Sequence, residues 1–173
     1  MDILLGLLVN VLEEGLIYGV MAMGVYITYK ILDFPDLSVD GSFPMGACVT
    51  AVLITAGVNP WLACIDSFVC GAVAGCVTGL LHVKLHISDL LSGILVMTGL
   101  YSINLLITGG QATMQFYNQN TIFTSGPAAL LPEAVKSYRV IIVALIAVVI
   151  VKVLLDLYLK TKSGLLLRAA GSN

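Results

Sequence analysis

Five long apolar runs, at residues 12–32, 41–57, 60–81, 90–108 and 138–159, are divided by short polar breaks. A spanning helix needs about 20 apolar residues to cross about 30 Å of hydrocarbon, and each run meets or approaches that length. The runs are continuously apolar, built largely from Leu, Ile, Val, Ala and Gly, and lack the alternation a membrane β-barrel requires. The pattern therefore predicts an all-α fold, a polytopic membrane helix bundle of about five transmembrane helices. Residues 3–12 are also apolar but too few to cross, and Glu13 and Glu14 separate them from the next stretch. The predicted place for residues 1–11 is the membrane interface, lying flat and packed against the bundle.

The polar breaks mark where helices start and stop. Lys30 can snorkel from the end of the first run, which Asp33-Phe-Pro-Asp36 closes. The second run opens on Asp36, Ser38, Asp40, Gly41 and Ser42 and contains Pro44 and Gly46; a broken helix facing protein or water is predicted there. Pro60 suits the first position of the third helix. Within that helix Gly71, Gly75 and Gly79 recur at every fourth position, a face that lets another helix approach closely. Either Ser88 or Asp89 can cap the fourth run, which ends at Gly109 and Gly110. Residues 109–137 form a long polar connection, and residues 160–173 a basic tail.

Composition identifies the solvent. The chain is 59% hydrophobic and 10% charged, with a mean hydropathy of +1.03, whereas soluble domains carry about 25% charged residues. Lipid must bathe much of its surface. Eight Lys and Arg against ten Asp and Glu leave a net charge of −2, so nucleic acid is not a predicted partner. The basic residues set the orientation. With the tail in the cytoplasm, Lys30, Lys84, Lys160, Lys162 and Arg168 lie inside, and Lys136 and Arg139 outside. The N-terminus and the 109–137 loop are therefore placed outside, the 82–89 loop and the tail inside.

Few side chains are candidates for chemistry. Asp33, Asp36 and Asp40 bring carboxylates to a membrane boundary; they read either as a cation or solute site in a polar cavity, or as a cytoplasmic loop plus a helix-start acid favoured by the dipole. Asp66 lies about one to two turns inside the third run and should face the bundle interior or an external vestibule. Lys152 and Asp156 are spaced to satisfy each other. Cys48, Cys64, Cys70 and Cys76 show no CxxC pairing and read as small packing residues. His82 and His86 stand one turn apart with no third ligand nearby, so no metal is assigned. The sequence holds no GxxxxGK[ST] phosphate loop and no GxSxG elbow, so neither P-loop ATP hydrolysis nor serine hydrolysis has a candidate residue, and no cofactor is predicted.

Two segments carry a resemblance. Asp36-Leu-Ser-Val-Asp-Gly-Ser-Phe-Pro-Met-Gly-Ala47 resembles the segment that opens the second helix in bacterial ABC-importer permeases of the branched-chain amino acid, ribose and basic-membrane-protein group. Ser163-Gly-Leu-Leu-Leu-Arg-Ala-Ala-Gly-Ser-Asn173 resembles that family's cytoplasmic Gly-Arg-x-x-Arg-Ala-x-Gly-x-Asn stretch. Tyr29-Lys-Ile-Leu-Asp-Phe34, followed at once by the acid-rich helix start, is similar to the branch of uncharacterised and aromatic amino acid uptake systems. The resemblance covers essentially the whole chain in its order of spans. It departs at Leu166, where many relatives carry arginine or a similar polar residue. Family members also continue past the Gly-x-Asn segment into a second group of helices, so the chain resembles the N-terminal part of a longer permease domain: a fragment, a truncated chain or a split gene product.

The resemblance implies a transmembrane subunit of the bacterial cytoplasmic membrane, paired with a second permease subunit as a homo- or heterodimer. An external or lipid-anchored substrate-binding protein would deliver the solute, and two cytoplasmic ATP-binding subunits would hydrolyse ATP; this chain would not be an enzyme. On that reading Asp36, Ser38, Asp40, Gly41, Ser42 and Asp66 border the translocation path of a small solute, an amino acid by the branch resembled. Gly164, Arg168, Gly171 and Asn173 form the ATPase-coupling face. The residues leave two other readings open. One is a self-contained small channel or ion-coupled carrier using Asp36, Asp40 and Asp66; the other is a scaffolding membrane protein resting on the Gly71, Gly75 and Gly79 face.

Overall fold

The computed structural model describes residues 2–111, 113–115, 119–124 and 138–171. Among these residues the regular elements are all helical: α1 (Asp2–Tyr26), a π-helical turn (Ile27–Ile31), α2 (Val39–Thr55), α3 (Pro60–Leu85), α4 (Asp89–Ile107), α5 (Arg139–Lys160) and α6 (Lys162–Gly171). They form two compact units, one of Met1–Phe34 with Phe123–Asn173, the other Pro35–Ile122.

The stretch Ile3–Ile31, α3, α4 and α5 are each long and apolar enough to cross a membrane, whereas α2 is apolar but has only 17 residues. At 1.5 Å per residue α2 covers about 25 Å, short of the about 30 Å hydrocarbon thickness. The expected five spans thus become four long helices and one short one. α1 also runs through Glu13 and Glu14 without a break, so residues 3–11 share its helix. Glutamate interrupts a hydropathy pattern but is a good helix former. The predicted break inside the second helix lies instead in front of it. α2 is continuous with Pro44 inside, and the irregular backbone occupies residues 32–38. There Asp36 Oδ1 accepts from the Ser38 backbone N–H at 2.8 Å, and the buried N-cap Ser38 offers its carbonyl to the N–H groups of Gly41 and Ser42 at 3.0 and 2.9 Å.

In the first unit α1 packs along α5, and α6 folds back from α5 onto the π-helical turn. That turn closes with the Leu32 N–H on the Ile27 carbonyl at 3.0 Å, the wider i to i+5 spacing. Thr161 makes the corner between α5 and α6. Its hydroxyl donates to the Tyr158 carbonyl at 2.6 Å and accepts from the Gly164 N–H at 3.3 Å, an N-cap for α6. Glycine is needed at both ends of α6: a Cβ on Gly164 would run into the Tyr158 carbonyl, and one on Gly171 into the Ile31 carbonyl.

In the second unit α2 packs against both α3 and α4 around Met45, Ala74, Val96 and Leu100. The buried positions of α3 are Pro60, Ala63, Ala74 and Thr78, with Ser67 and Cys70 half-buried along the same stripe. The Thr50 and Ser67 hydroxyls hydrogen-bond across the α2–α3 contact. Among the described residues nothing packs on the expected face of Gly71, Gly75 and Gly79: a Cβ on any of the three would meet open space. The stripe in contact is rotated from it by one residue, about 100° of helix, and combines alanine with hydroxyl and thiol side chains.

α4 comes closer to the α2 segment than side chains normally allow. A Cβ on Gly41 would lie 3.1 Å from the Met97 Cα, and one on Gly93 would lie 2.8 Å from the Leu37 nitrogen. The α3–α4 turn passes through His86 in the left-handed region, φ 52°. His82 Nδ1 faces two acceptors, the Ile87 carbonyl at 2.9 Å and Asp89 Oδ1 at 3.0 Å, so that nitrogen carries the proton. Ser88 takes the N-cap position without a side-chain cap bond, while Asp89 pairs with His82. α4 ends through two left-handed glycines, Gly109 and Gly110, with the Gly110 N–H on the Leu105 carbonyl at 2.7 Å.

Gly93→Ala is expected to lower stability by about 1–3 kcal/mol through overpacking. Gly75→Ala is expected to be neutral or to gain about 0.5–1 kcal/mol from helix propensity. Thermal melting of the two variants in the same detergent checks the contrast.

Candidate functional site

The close approach of α2 and α4 leaves a cleft of about 630 Å³ beside it, within the range of small-molecule sites. From α2 come Asp40, Gly41, Pro44, Ala47, Cys48 and Ala51, a helical stripe of small residues after one acid. From α4 come Met97, Thr98, Tyr101, Asn104 and Leu105, joined by its C-cap Thr108 and by Gln111 and Met114. A second cavity of about 580 Å³, between α3 and the other two helices, is lined by Val, Leu, Ile, Met, Ala and Gly with Cys70. It holds no group that would orient a polar solute, so the α2–α4 cleft is the candidate site.

Polar groups converge on this cleft. Asp40 lies exposed in the first turn of α2, where the helix dipole favours a carboxylate. Asn104 is buried, 9% exposed, and its Nδ2 donates to the Gly41 carbonyl at 3.2 Å. That acceptor decides which end of the amide is nitrogen. The other end, Oδ1, is buried with no hydrogen-bond partner, an arrangement that costs about 1–3 kcal/mol. Thr98 commits its hydroxyl proton to the Ile94 and Leu95 carbonyls, both at 3.0 Å, and Thr108 commits its own to the Asn104 and Leu105 carbonyls at 3.1 and 3.3 Å. Their lone pairs remain available. Among the described residues lining the cleft, none is Lys, Arg or His.

The structure separates the residues that sequence placed together. Asp40 and Gly41 line the cleft, whereas Asp36 and Ser38 build the turn that starts α2 and Ser42 bonds back to the Val39 carbonyl. Asp66 is exposed on α3 and is not among the cleft residues. Of the tail residues, Gly164 and Gly171 hold α6 in its close contacts and Arg168 is exposed; Asn173 lies outside the described residues. Lys152 and Asp156, spaced to pair, are both exposed on α5 and form no ion pair among the described residues. The α4 contribution was not anticipated. Its signal was present, since Thr98, Tyr101, Asn104 and Thr108 recur at spacings of three and four along α4 and its C-cap.

Comparison with known proteins places these features in a family. Residues 7–173 match the family described as branched-chain amino acid transport system, permease component. The chain is 46% identical over 166 residues to a protein of Clostridioides difficile (strain R20291) named tyrosine transport system permease protein; the match covers 96% of this chain and 52% of that one. It is 33% identical over 169 residues to an uncharacterised protein of Rickettsia prowazekii (strain Madrid E), covering 98% and 56% respectively. The chain thus spans about half the length of the curated relatives it matches. No solved structure matches it. With four helices among the described residues long and apolar enough to cross a membrane and a match over nearly its whole length, the chain is a multi-pass membrane protein that belongs to the family of branched-chain amino acid transport system permease components.

Proposed function

We propose that the chain is part of the transmembrane subunit of an ABC importer and that its α2–α4 cleft borders the path of an amino acid. The observation that carries this reading is the cleft itself: concave, mostly apolar, and supplied with Asp40, Thr98, Asn104 and Thr108 at a helix contact in a permease family. A few placed polar groups on an apolar wall are what a small solute needs for orientation. Tyrosine is the first solute to test, because a relative at 46% identity carries that name. Tyr101 and Met97 offer it aromatic and thioether surface.

The tail supports the other half of the mechanism. Gly164 and Gly171 let α6 sit tightly on its own unit while Arg168 stays exposed. A cation presented on a firmly seated helix suits docking to the ATP-binding subunits. The basic residues then put α6 in the cytoplasm and the N-terminus outside. A substrate-binding protein delivers the solute from outside, and a second permease subunit completes the path across the bacterial cytoplasmic membrane.

The full-length permease, reconstituted with its ATP-binding subunits and binding protein, is expected to accumulate labelled tyrosine only when ATP is supplied. Uptake by the permease alone, without ATP, would overturn the importer reading in favour of a self-contained carrier. Asp40→Leu should reduce uptake by about tenfold or more, the cost of losing a charged hydrogen bond, with membrane insertion intact; unchanged uptake would remove Asp40 from the path. A photocrosslinker at position 168 is expected to capture an ATP-binding subunit in native membranes, and its failure to do so would remove α6 from the coupling face.

A further inference from the structure

The α2–α4 cleft is asymmetric in its hydrogen-bonding chemistry. Among the described residues that line it, the one charged side chain is Asp40, an acceptor. Thr98 and Thr108 have spent their protons on helix carbonyls and face the cleft as acceptors. Asn104 has spent one N–H on Gly41, and its Oδ1 has no partner. Against these stand the neutral donors of Tyr101, Gln111 and the second Asn104 N–H, none of which offsets the Asp40 charge. Among the described lining residues a solute carboxylate would find no cation, whereas a solute ammonium would find several acceptors and one full negative charge.

We infer that this cleft selects cations, taking the ammonium end of a solute whose apolar body lies along Pro44, Ala47 and Met97. The inference rests on the reading of the cleft as part of the solute path, and it goes further by naming the end of the solute that is recognised. Asp40 at the rim draws the ammonium in, since a charged cleft with low-dielectric walls concentrates the opposite sign. Asn104 is the inner acceptor. Its Oδ1 is closed off from water, so it acts on the cleft through its dipole. A buried orphan acceptor in an otherwise satisfied helix pair is the expected mark of a group whose partner arrives with the solute.

Cys48, a free thiol on the cleft wall, provides a reporter that depends neither on transport nor on the solute's identity. In the full-length permease assembled with its partner subunits, Cys64, Cys70, Cys76 and any cysteine outside this segment would be replaced by Ala. Cys48 would then be titrated with two methanethiosulfonates, one bearing a trimethylammonium and one a sulfonate. Relative to their rates with a free small thiol, the cationic reagent is expected to react about tenfold faster than the anionic one. Asp40→Asn should lower that ratio. Asn104→Leu should lower it, and Ala47→Asp, which adds an exposed carboxylate to the same wall, should raise it, an increase that misfolding would not produce. Equal relative rates with tyrosine uptake intact would overturn cation selection and leave the permease reading standing. A Cys48 inert to both reagents in a complex that transports would remove the cleft from the aqueous path and overturn the inference with it.

Discussion

Two places where α4 meets the α2 segment with no side chain between them, Gly41 against Met97 and Gly93 against Leu37, determine the geometry of the second unit. In lipid, helices gain little from hiding apolar surface, because the surrounding tails are as apolar as leucine; association relies on close packing and interhelical hydrogen bonds. Glycine permits that proximity. Once the backbones are this near, the Asn104 amide reaches the Gly41 carbonyl, and the Thr50 and Ser67 hydroxyls tie α2 to α3 on its other side.

The cleft is a consequence of the same contact. Two rods that touch at a few points diverge beyond them, and the small side chains of Ala47, Cys48 and Ala51 leave the space beside α2 unfilled. A leucine at position 104 would have packed the floor without an unpaired polar atom. Keeping asparagine there is costly to the fold, and local violations of packing logic of this kind concentrate where a protein acts on something else. The polar stripe of α4 and Asp40 of α2 thus line one cleft only because the Gly41 contact turns them towards one another.

The first unit solves a different problem, that of holding a short helix against a longer neighbour. α6 has ten residues, too few to be stable alone, and it is anchored at one end by the Thr161 cap and at the other by Gly171 against Ile31. The motif glycines therefore have a steric reason that is independent of any partner. Arg168, between them, is exposed.

Helix content and membrane residence followed from the sequence alone, because uninterrupted apolar runs in a chain with 10% charged residues have no other stable form. The turn before α2, the glycine end of α4 and the family were also legible, since they rest on local chemistry at Asp36, Ser38, Gly109 and Gly110 or on linear motifs. What sequence could not decide was which side of each helix faces a neighbour. Gly71, Gly75 and Gly79 form a regular small-residue face, yet the α3 positions in contact are Ala63, Ala74 and Thr78. Asp66 shares a charge with Asp40 but not the cleft, and the second helix, read as broken in its first turns, runs continuously through Pro44. Periodicity lists the residues on each face; only the tertiary contacts, set by where two backbones can touch, choose among the faces.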